Sequence, residues 1–259
     1  MHTSEFPPVA VDLAPVETAQ PEPPPVPLFG AKRALWIVLS YILTQLGIVF
    51  VLGVGFGIAQ KKLSVGPLLL ATVVGAIVGS AVAWRMARFS FSSQPLDAFQ
   101  NAIGVRSATQ RQVAIAAAVG LLLSAFNSLV LIRVFPPSSE QELGPLVAAM
   151  NEGGWVMNVC IFFGVCIAPA TEEFMFRGVL FAGLARRLPG VLAGLISISA
   201  FGLMHISSAS PYWAAIVAVS LLALAAQLAR VRTGSLVPGI AMHTVYNAAV
   251  FALGFVLQP

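Results

Sequence analysis

Acidic and basic side chains interrupt three long apolar segments in the C-terminal half of this chain. They are two glutamates and an arginine in the first segment, a histidine in the second, and a histidine with an asparagine in the third: Glu172, Glu173 and Arg177, then His205, then His243 and Asn247. A carboxylate in lipid is costly unless it is paired, protonated or facing water, so it usually marks a functional site. A glutamate near imidazole and amide groups suits general-base chemistry with oxyanion stabilisation.

Helical spacing separates the two glutamates. Glu173 and Arg177 are four residues apart on one face and suit an ion pair, whereas Glu172 is turned about 100° away. His243 and Asn247 are also four apart and project together. Glu172 is therefore the freer carboxylate and the better candidate for chemistry.

The polar groups are expected at one depth in the membrane. Depth is measured from the nearest arginine on the predicted cytoplasmic side, which is Arg186 for Glu172, Arg187 for His205 and Arg232 for the third segment. At ~1.5 Å per helical residue, Glu172 lies about 21 Å deep and His205 about 27 Å. His243 and Asn247 lie about 16 Å and 22 Å deep on the same scale. One carboxylate, two imidazoles and an amide could thus surround a single water or carbonyl group.

The composition predicts helices that cross a bilayer. The 259 residues are 58% hydrophobic and 9% charged, with a mean hydropathy of +0.89, whereas soluble domains carry roughly 25% charged residues. We predict an all-α, polytopic transmembrane bundle of about seven to eight spans. The seven clear candidates cover residues 34–59, 64–84, 113–132, 155–178, 189–208, 211–229 and 236–257.

Lys and Arg residues flank these spans unevenly. Ten lie on one side and three on the other, which predicts a multi-pass protein of the cell (inner) membrane with a cytoplasmic N-terminus. Because they lie singly or in pairs at span ends, the net charge of +4 does not indicate nucleic-acid binding.

The chain divides into three predicted regions. Residues 1–33 contain many prolines and several acidic residues, and they are expected to form a disordered cytoplasmic tail. N-terminal transmembrane helices follow over 34–132, and the polar residues fall in a core over 150–257. The stretch 86–112 could form an interfacial amphipathic helix, and 134–154 could hide an eighth, partial span.

Three motifs in this core carry a family resemblance. They are Glu172-Glu173-x-x-x-Arg177, Phe201-x-x-x-His205 and His243-x-x-x-Asn247, in that order in successive apolar segments. They resemble the E-E-x-x-x-R, F-x-x-x-H and H-x-x-x-N motifs of the CPBP family, the CAAX-processing and bacteriocin-processing (Abi) intramembrane endopeptidases. The resemblance covers roughly residues 150–255 and matches all six polar motif positions.

The resemblance implies an enzyme, an intramembrane protease that hydrolyses a peptide bond in a membrane-associated peptide or protein. Glu172 would act as general base with His205 helping to hold the attacking water, and His243 and Asn247 would stabilise the oxyanion. Glu173, Arg177 and Phe201 would support this site. The implied partners are the substrate and the lipid bilayer, with no nucleic acid.

No cofactor is assured by the motifs, and zinc remains an open alternative. A metal would take Glu172, His205 and His243 as ligands. The H-E-x-x-H arrangement is absent and Asn247 is a poor zinc ligand, so the residues favour a metal-independent reaction.

Two other functions use the same residues. A membrane transporter could employ them as a proton relay, although they cluster at one depth without forming a chain across the bilayer. A non-catalytic membrane scaffold or immunity protein could retain the fold. The sequence alone separates neither from the protease.

Overall fold

The computed structural model describes residues 30–60, 65–137, 151–209 and 212–256. The predicted tail before residue 30, and residues 138–150 of the predicted partial span, lie outside the described residues. The described residues form helices and contain no strand. The main helices are α1 (Ala31–Gln60), α2 (Val65–Phe89), α3 (Leu96–Ile103), α4 (Gln110–Val134), α5 (Gly154–Leu184), α6 (Gly190–Ala209), α7 (Trp213–Thr233) and α8 (Val237–Val256).

The predicted all-α membrane bundle is confirmed. Within the described ranges, six helices are long and apolar enough to cross a membrane, namely α1, α2, α4, α5, α7 and α8. The predicted span 189–208 corresponds to α6, whose apolar part is the shorter stretch Gly190–Ile206. Helix α2 ends at Phe89 and α5 at Leu184, about one and a half turns beyond their predicted ends, because a span also includes the charged turn that leaves the apolar region.

Glycines allow two pairs of helices to approach closely. Gly75 and Gly79, spaced as in a small-xxx-small motif, face α1, and a Cβ atom at either would lie 3.0 Å from Gln45 or Tyr41. Gly120 of α4 lies against the Met242 backbone of α8 in the same way. Inside lipid, helices have no hydrophobic driving force for association, so close packing of their backbones stabilises these helix pairs.

Helix α5 departs from regular α-geometry at two places. It widens into π-helical turns at Phe163–Ile167 and Phe174–Leu180. Pro169 explains the first, because its ring and missing N–H conflict with the carbonyl of Val165 four residues earlier. The second follows Glu173 directly, and π-turns of this kind occur often at functional sites.

Side chains from neighbouring helices bond to the second wide turn. The hydroxyl of Ser197 in α6 donates to the Phe176 carbonyl at 2.9 Å, and Arg230 Nε of α7 donates to the Arg177 carbonyl at 3.3 Å. A widened turn disturbs the regular ladder of helical hydrogen bonds, and polar groups nearby can re-satisfy its carbonyls. These bonds fix α5 between α6 and α7.

The largest buried cluster surrounds the second half of α5. Apolar residues of α1, α2, α6 and α7 pack there, together with Phe91, Phe99 and Ile103 from the α2–α3 region. Helix α3 is the predicted amphipathic helix within 86–112, with Phe99 and Ile103 buried and Asp97 in its first turn. Gly104 ends it in the left-handed conformation at φ 85°, which favours glycine.

Candidate functional site

The second half of α5 carries a fully buried ion pair. Arg177 Nη1 lies 3.2 Å from Glu173 Oε1, and the two side chains are 0% and 1% exposed. Arg177 Nη2 also donates to the Ala223 carbonyl of α7 at 2.9 Å. The structure thus forms the ion pair expected from the spacing of four residues, and uses it to attach α5 to α7.

Glu172 projects to a different side of α5 and meets two imidazoles. Its Oε2 atom lies 3.8 Å from His205 Nε2 of α6 and 3.8 Å from His243 Nε2 of α8. The Glu172 side chain is 20% exposed, while that of Glu173 is 1% exposed. Separations of 3.8 Å are too long for direct hydrogen bonds, and polar groups at this distance can share a bridging water.

The backbone orients His205. Its Nδ1 lies 2.9 Å from the Phe201 carbonyl one turn earlier in α6, an arrangement in which Nδ1–H donates and the oxygen accepts. We assign the proton of a neutral ring to Nδ1 on this basis, which leaves the lone pair of Nε2 facing Glu172. His205 can therefore accept a hydrogen bond at the same place as the carboxylate.

His243 lies between the two glutamates. Its Nε2 faces Glu172, and its Nδ1 lies 3.7 Å from Glu173 Oε1. Gly239, one turn earlier in α8, makes room for the second contact, because a Cβ atom there would lie 2.7 Å from Glu173 Oε2. One imidazole thereby joins the buried ion pair to the more accessible carboxylate.

Phe201 is the aromatic centre of the site. Its buried ring lies beneath the Arg177 guanidinium, with Cζ 4.5 Å from the ring centroid. The ring centroid is also 4.5 Å from that of His205 and 5.9 Å from that of His243. Phe201 therefore packs against both imidazoles and the arginine.

Asn247 contacts a different part of α5. Its Nδ2 donates to the Gly164 carbonyl at 2.7 Å, within the first π-helical turn. A contact with Glu172 within hydrogen-bonding distance is not seen for Asn247 among the described residues. The amide holds α8 to α5, and its second N–H is not used in this bond.

Sequence reasoning missed several residues that support the site. Ser197 and Arg230 donate hydrogen bonds to carbonyl groups of α5 as described above. Tyr41 of α1 is 5% exposed and lies within electrostatic range of Glu172. A buried serine or tyrosine in an apolar helix carries no spacing signal, so only the packing of the helices reveals these partners.

A metal ion at this site would use Glu172, His205 and His243 as ligands. The described residues contain no group of three or more His, Cys, Asp or Glu side chains with a geometry that could hold a metal ion. Glu172, His205 and His243 meet, but the Nδ1 of His243 faces Glu173 and Asn247 bonds to a backbone carbonyl. The zinc alternative therefore stays a prediction.

The fold and the site together define a class of protein. It is a membrane-spanning helical bundle in which a carboxylate and two imidazoles meet. Residues 154–249 match the family model described as Rce1-like, type II CAAX prenyl endopeptidase. The matched segment is less than half of the chain, and it resembles a family of proteases. All the motif residues lie within the matched range. The comparisons with curated proteins and with solved structures gave no match.

Proposed function

We propose that this protein is an intramembrane endopeptidase that uses Glu172 as general base on a water molecule. The observation that carries the proposal is the position of Glu172 Oε2, 3.8 Å from an imidazole nitrogen of both His205 and His243. The family match supports peptide-bond hydrolysis as the reaction.

The attacking water is held between two acceptors. It donates one hydrogen to Glu172 and the other to His205 Nε2, whose Nδ1–H is held by the Phe201 carbonyl. Its oxygen lone pair is then directed at the substrate carbonyl. Glu172 removes a proton as the C–O bond forms, and later delivers it to the leaving amine nitrogen.

His243 and Asn247 stabilise the oxyanion of the tetrahedral intermediate. His243 donates its Nε2–H toward the negative oxygen, while its Nδ1 lies on the side of Glu173. Asn247 contributes the amide hydrogen that its bond to Gly164 leaves unused. Such donors are worth most where water is scarce, and His243 is 5% exposed.

We propose further that the reaction needs no metal ion. The base, the water holder and the oxyanion donors of this mechanism are all protein groups, and the H-E-x-x-H arrangement typical of zinc proteases is absent from the sequence. Purified protein assayed after dialysis against a zinc chelator should retain its cleavage rate. Loss of cleavage that only added zinc restores would overturn this part.

The substrate is a peptide or protein held at the membrane, and the family description points to prenylated CAAX sequences as the first class to test.

We place the N-terminus in the cytoplasm because basic residues collect at one end of the bundle. Arg33 and Arg187 line one cleft there, and Arg106 donates to the Gly234 carbonyl after α7. Labelling of Arg187→Cys and Arg133→Cys from either side of sealed vesicles tests this orientation.

The decisive experiment compares membranes that carry the wild type, Glu172→Ala or His205→Ala. Peptide fragments produced by the wild type should disappear in both variants while the protein remains folded in the membrane. Glu152→Ala is the matched control, because this exposed glutamate precedes α5 and lies outside the site. Cleavage that persists in Glu172→Ala would refute the mechanism, and a proteoliposome ion flux dependent on Glu172 would favour a transporter.

A further inference from the structure

A large cleft lies where α1 begins and α2 ends, away from the catalytic cluster. Its volume is about 890 Å³, and its lining combines three arginines with two tryptophans, a phenylalanine and smaller side chains. The lining residues are Arg33, Trp36, Trp84, Arg85, Met86, Arg88, Phe89 and Ser92. A neighbouring cleft of about 350 Å³ shares Arg33 and Trp36 and adds Lys32 and Arg187.

Two of the three arginines of the cleft are positioned by neutral groups. Arg33 Nε donates to Ser90 Oγ at 3.0 Å, and Arg88 donates to the Phe91 carbonyl and lies 6.0 Å from the Phe99 ring centroid. Arg85 is exposed. Within the described residues, no carboxylate forms an ion pair with any of these three arginines. The positive charge of the cleft is therefore uncompensated by the described side chains.

The aromatic side chains give the cleft its depth. Trp36 is 54% exposed, while Trp84 packs edge-on against Phe99 with ring centroids 5.1 Å apart. Tryptophans favour the boundary between lipid tails and headgroups, because the indole is apolar but carries a polar N–H. Two indoles beside guanidinium groups, at the end of two membrane spans, are placed for a ligand that is both anionic and lipid-bound.

We propose that this cleft binds the phosphate of an anionic phospholipid headgroup. Guanidinium groups bind phosphate oxygens through pairs of N–H donors, and basic pockets between transmembrane helices are suited to anionic headgroups. Arginines that only set the membrane topology must lie in a loop on one side of the bilayer. That role does not require them to share a cavity with tryptophan side chains. The inference does not depend on the proposed proteolysis, because none of the cleft residues belongs to the catalytic cluster.

The test uses the cleft tryptophans as reporters. A Trp155→Phe/Trp213→Phe background removes the two indoles that lie in other parts of the bundle. The protein is reconstituted in phosphatidylcholine vesicles with increasing fractions of brominated phosphatidylglycerol, which quenches nearby indoles. Quenching should be half-maximal at a low fraction of the anionic lipid, whereas brominated phosphatidylcholine should quench only in proportion to its amount.

Two exposed arginines at the same end of the bundle provide a matched pair. Arg85→Gln should raise the half-quenching fraction about fivefold, the effect of one arginine near the membrane surface. Arg111→Gln removes the same charge from the first turn of α4, outside the cleft, and should change it less than twofold. Ser92→Glu, which places a negative charge in the cleft, should weaken binding at least as much as Arg85→Gln.

Several results would overturn the proposal. Equal losses in Arg85→Gln and Arg111→Gln would show general surface attraction without a site. Displacement of the brominated lipid by millimolar inorganic phosphate would assign the cleft to free phosphate. Unchanged quenching in both Arg85→Gln and Ser92→Glu, with the thermal midpoint retained, would remove the cleft from lipid binding altogether.

Discussion

Removing one member of the Glu173–Arg177 pair should cost more stability than removing both. The two groups lie 3.2 Å apart and are 1% and 0% exposed, so either one left alone is a charge buried without a counter-charge. Breaking a buried pair in this way typically costs about 3–5 kcal/mol. Neither Glu173 oxygen has another hydrogen bond in the described structure. Arg177→Met should therefore cost about 4 kcal/mol, and Glu173→Gln about 3 kcal/mol.

The double variant Glu173→Gln/Arg177→Met removes both charges. What remains is the neutral amide introduced at position 173 and the Ala223 carbonyl, which loses the donor it now has at 2.9 Å. An unsatisfied buried acceptor costs about 1–3 kcal/mol, so the double variant should be destabilised by about 2 kcal/mol. Independent effects would instead predict about 7 kcal/mol, which makes the expected coupling between the residues large.

The measurement is reversible unfolding in mixed micelles of a mild detergent and dodecyl sulfate, followed by circular dichroism. Glu152→Gln and Arg133→Met, each alone and together, are the controls, because both side chains are exposed and should stay within about 0.5 kcal/mol of the wild type. Single variants that cost less than about 1 kcal/mol, or a double variant equal to the sum of the singles, would refute the reasoning.

Three further predictions concern the same cluster. Gly239→Ala should destabilise the protein by about 1–3 kcal/mol, because the new Cβ atom would lie 2.7 Å from Glu173 Oε2. Gly202→Ala is the control, because the space around its Cβ position is open, and it should not destabilise the protein in the same unfolding titration. Phe201→Leu should lower kcat more than it raises KM, since the ring packs against both imidazoles; a rise in KM alone would contradict this. Glu172→Gln should lower kcat by about 10²–10⁴-fold with the fold intact, as expected for loss of a general base; a smaller loss would argue for another base.

Apolar patterning predicted the helices well, because a bilayer leaves little choice of structure to a run of about twenty apolar residues. The seven predicted spans correspond to seven helices, of which α6 has the shortest apolar part. The π-helical turns of α5 were not predicted. Pro169 could have predicted the first π-helical turn, because proline disturbs the helical hydrogen bonds. The second, Phe174–Leu180, contains no proline.

The candidate site was partly predictable for a similar reason. Spacing within one helix placed Arg177 beside Glu173 and turned Glu172 away from both, and the structure has this arrangement. Which helices are neighbours depends on packing between spans, which the spacing within each span does not encode. The place of His243 between both carboxylates, and the bond from Asn247 to Gly164, therefore emerged only from the structure. The catalytic roles of these residues stay predictions.

The arrangement explains why one carboxylate can remain available inside a membrane. Glu173 and Arg177 neutralise each other and contact α7 and α8, so they fix the orientation of the helix. Glu172, one residue earlier, then points at imidazoles and remains 20% exposed. A general base must be free to take up a proton, and a carboxylate already held by an arginine would be a weaker one. The buried pair thus holds α5 in the orientation that leaves Glu172 unpaired with a permanent cation, which is the condition that the proposed general-base role of Glu172 requires.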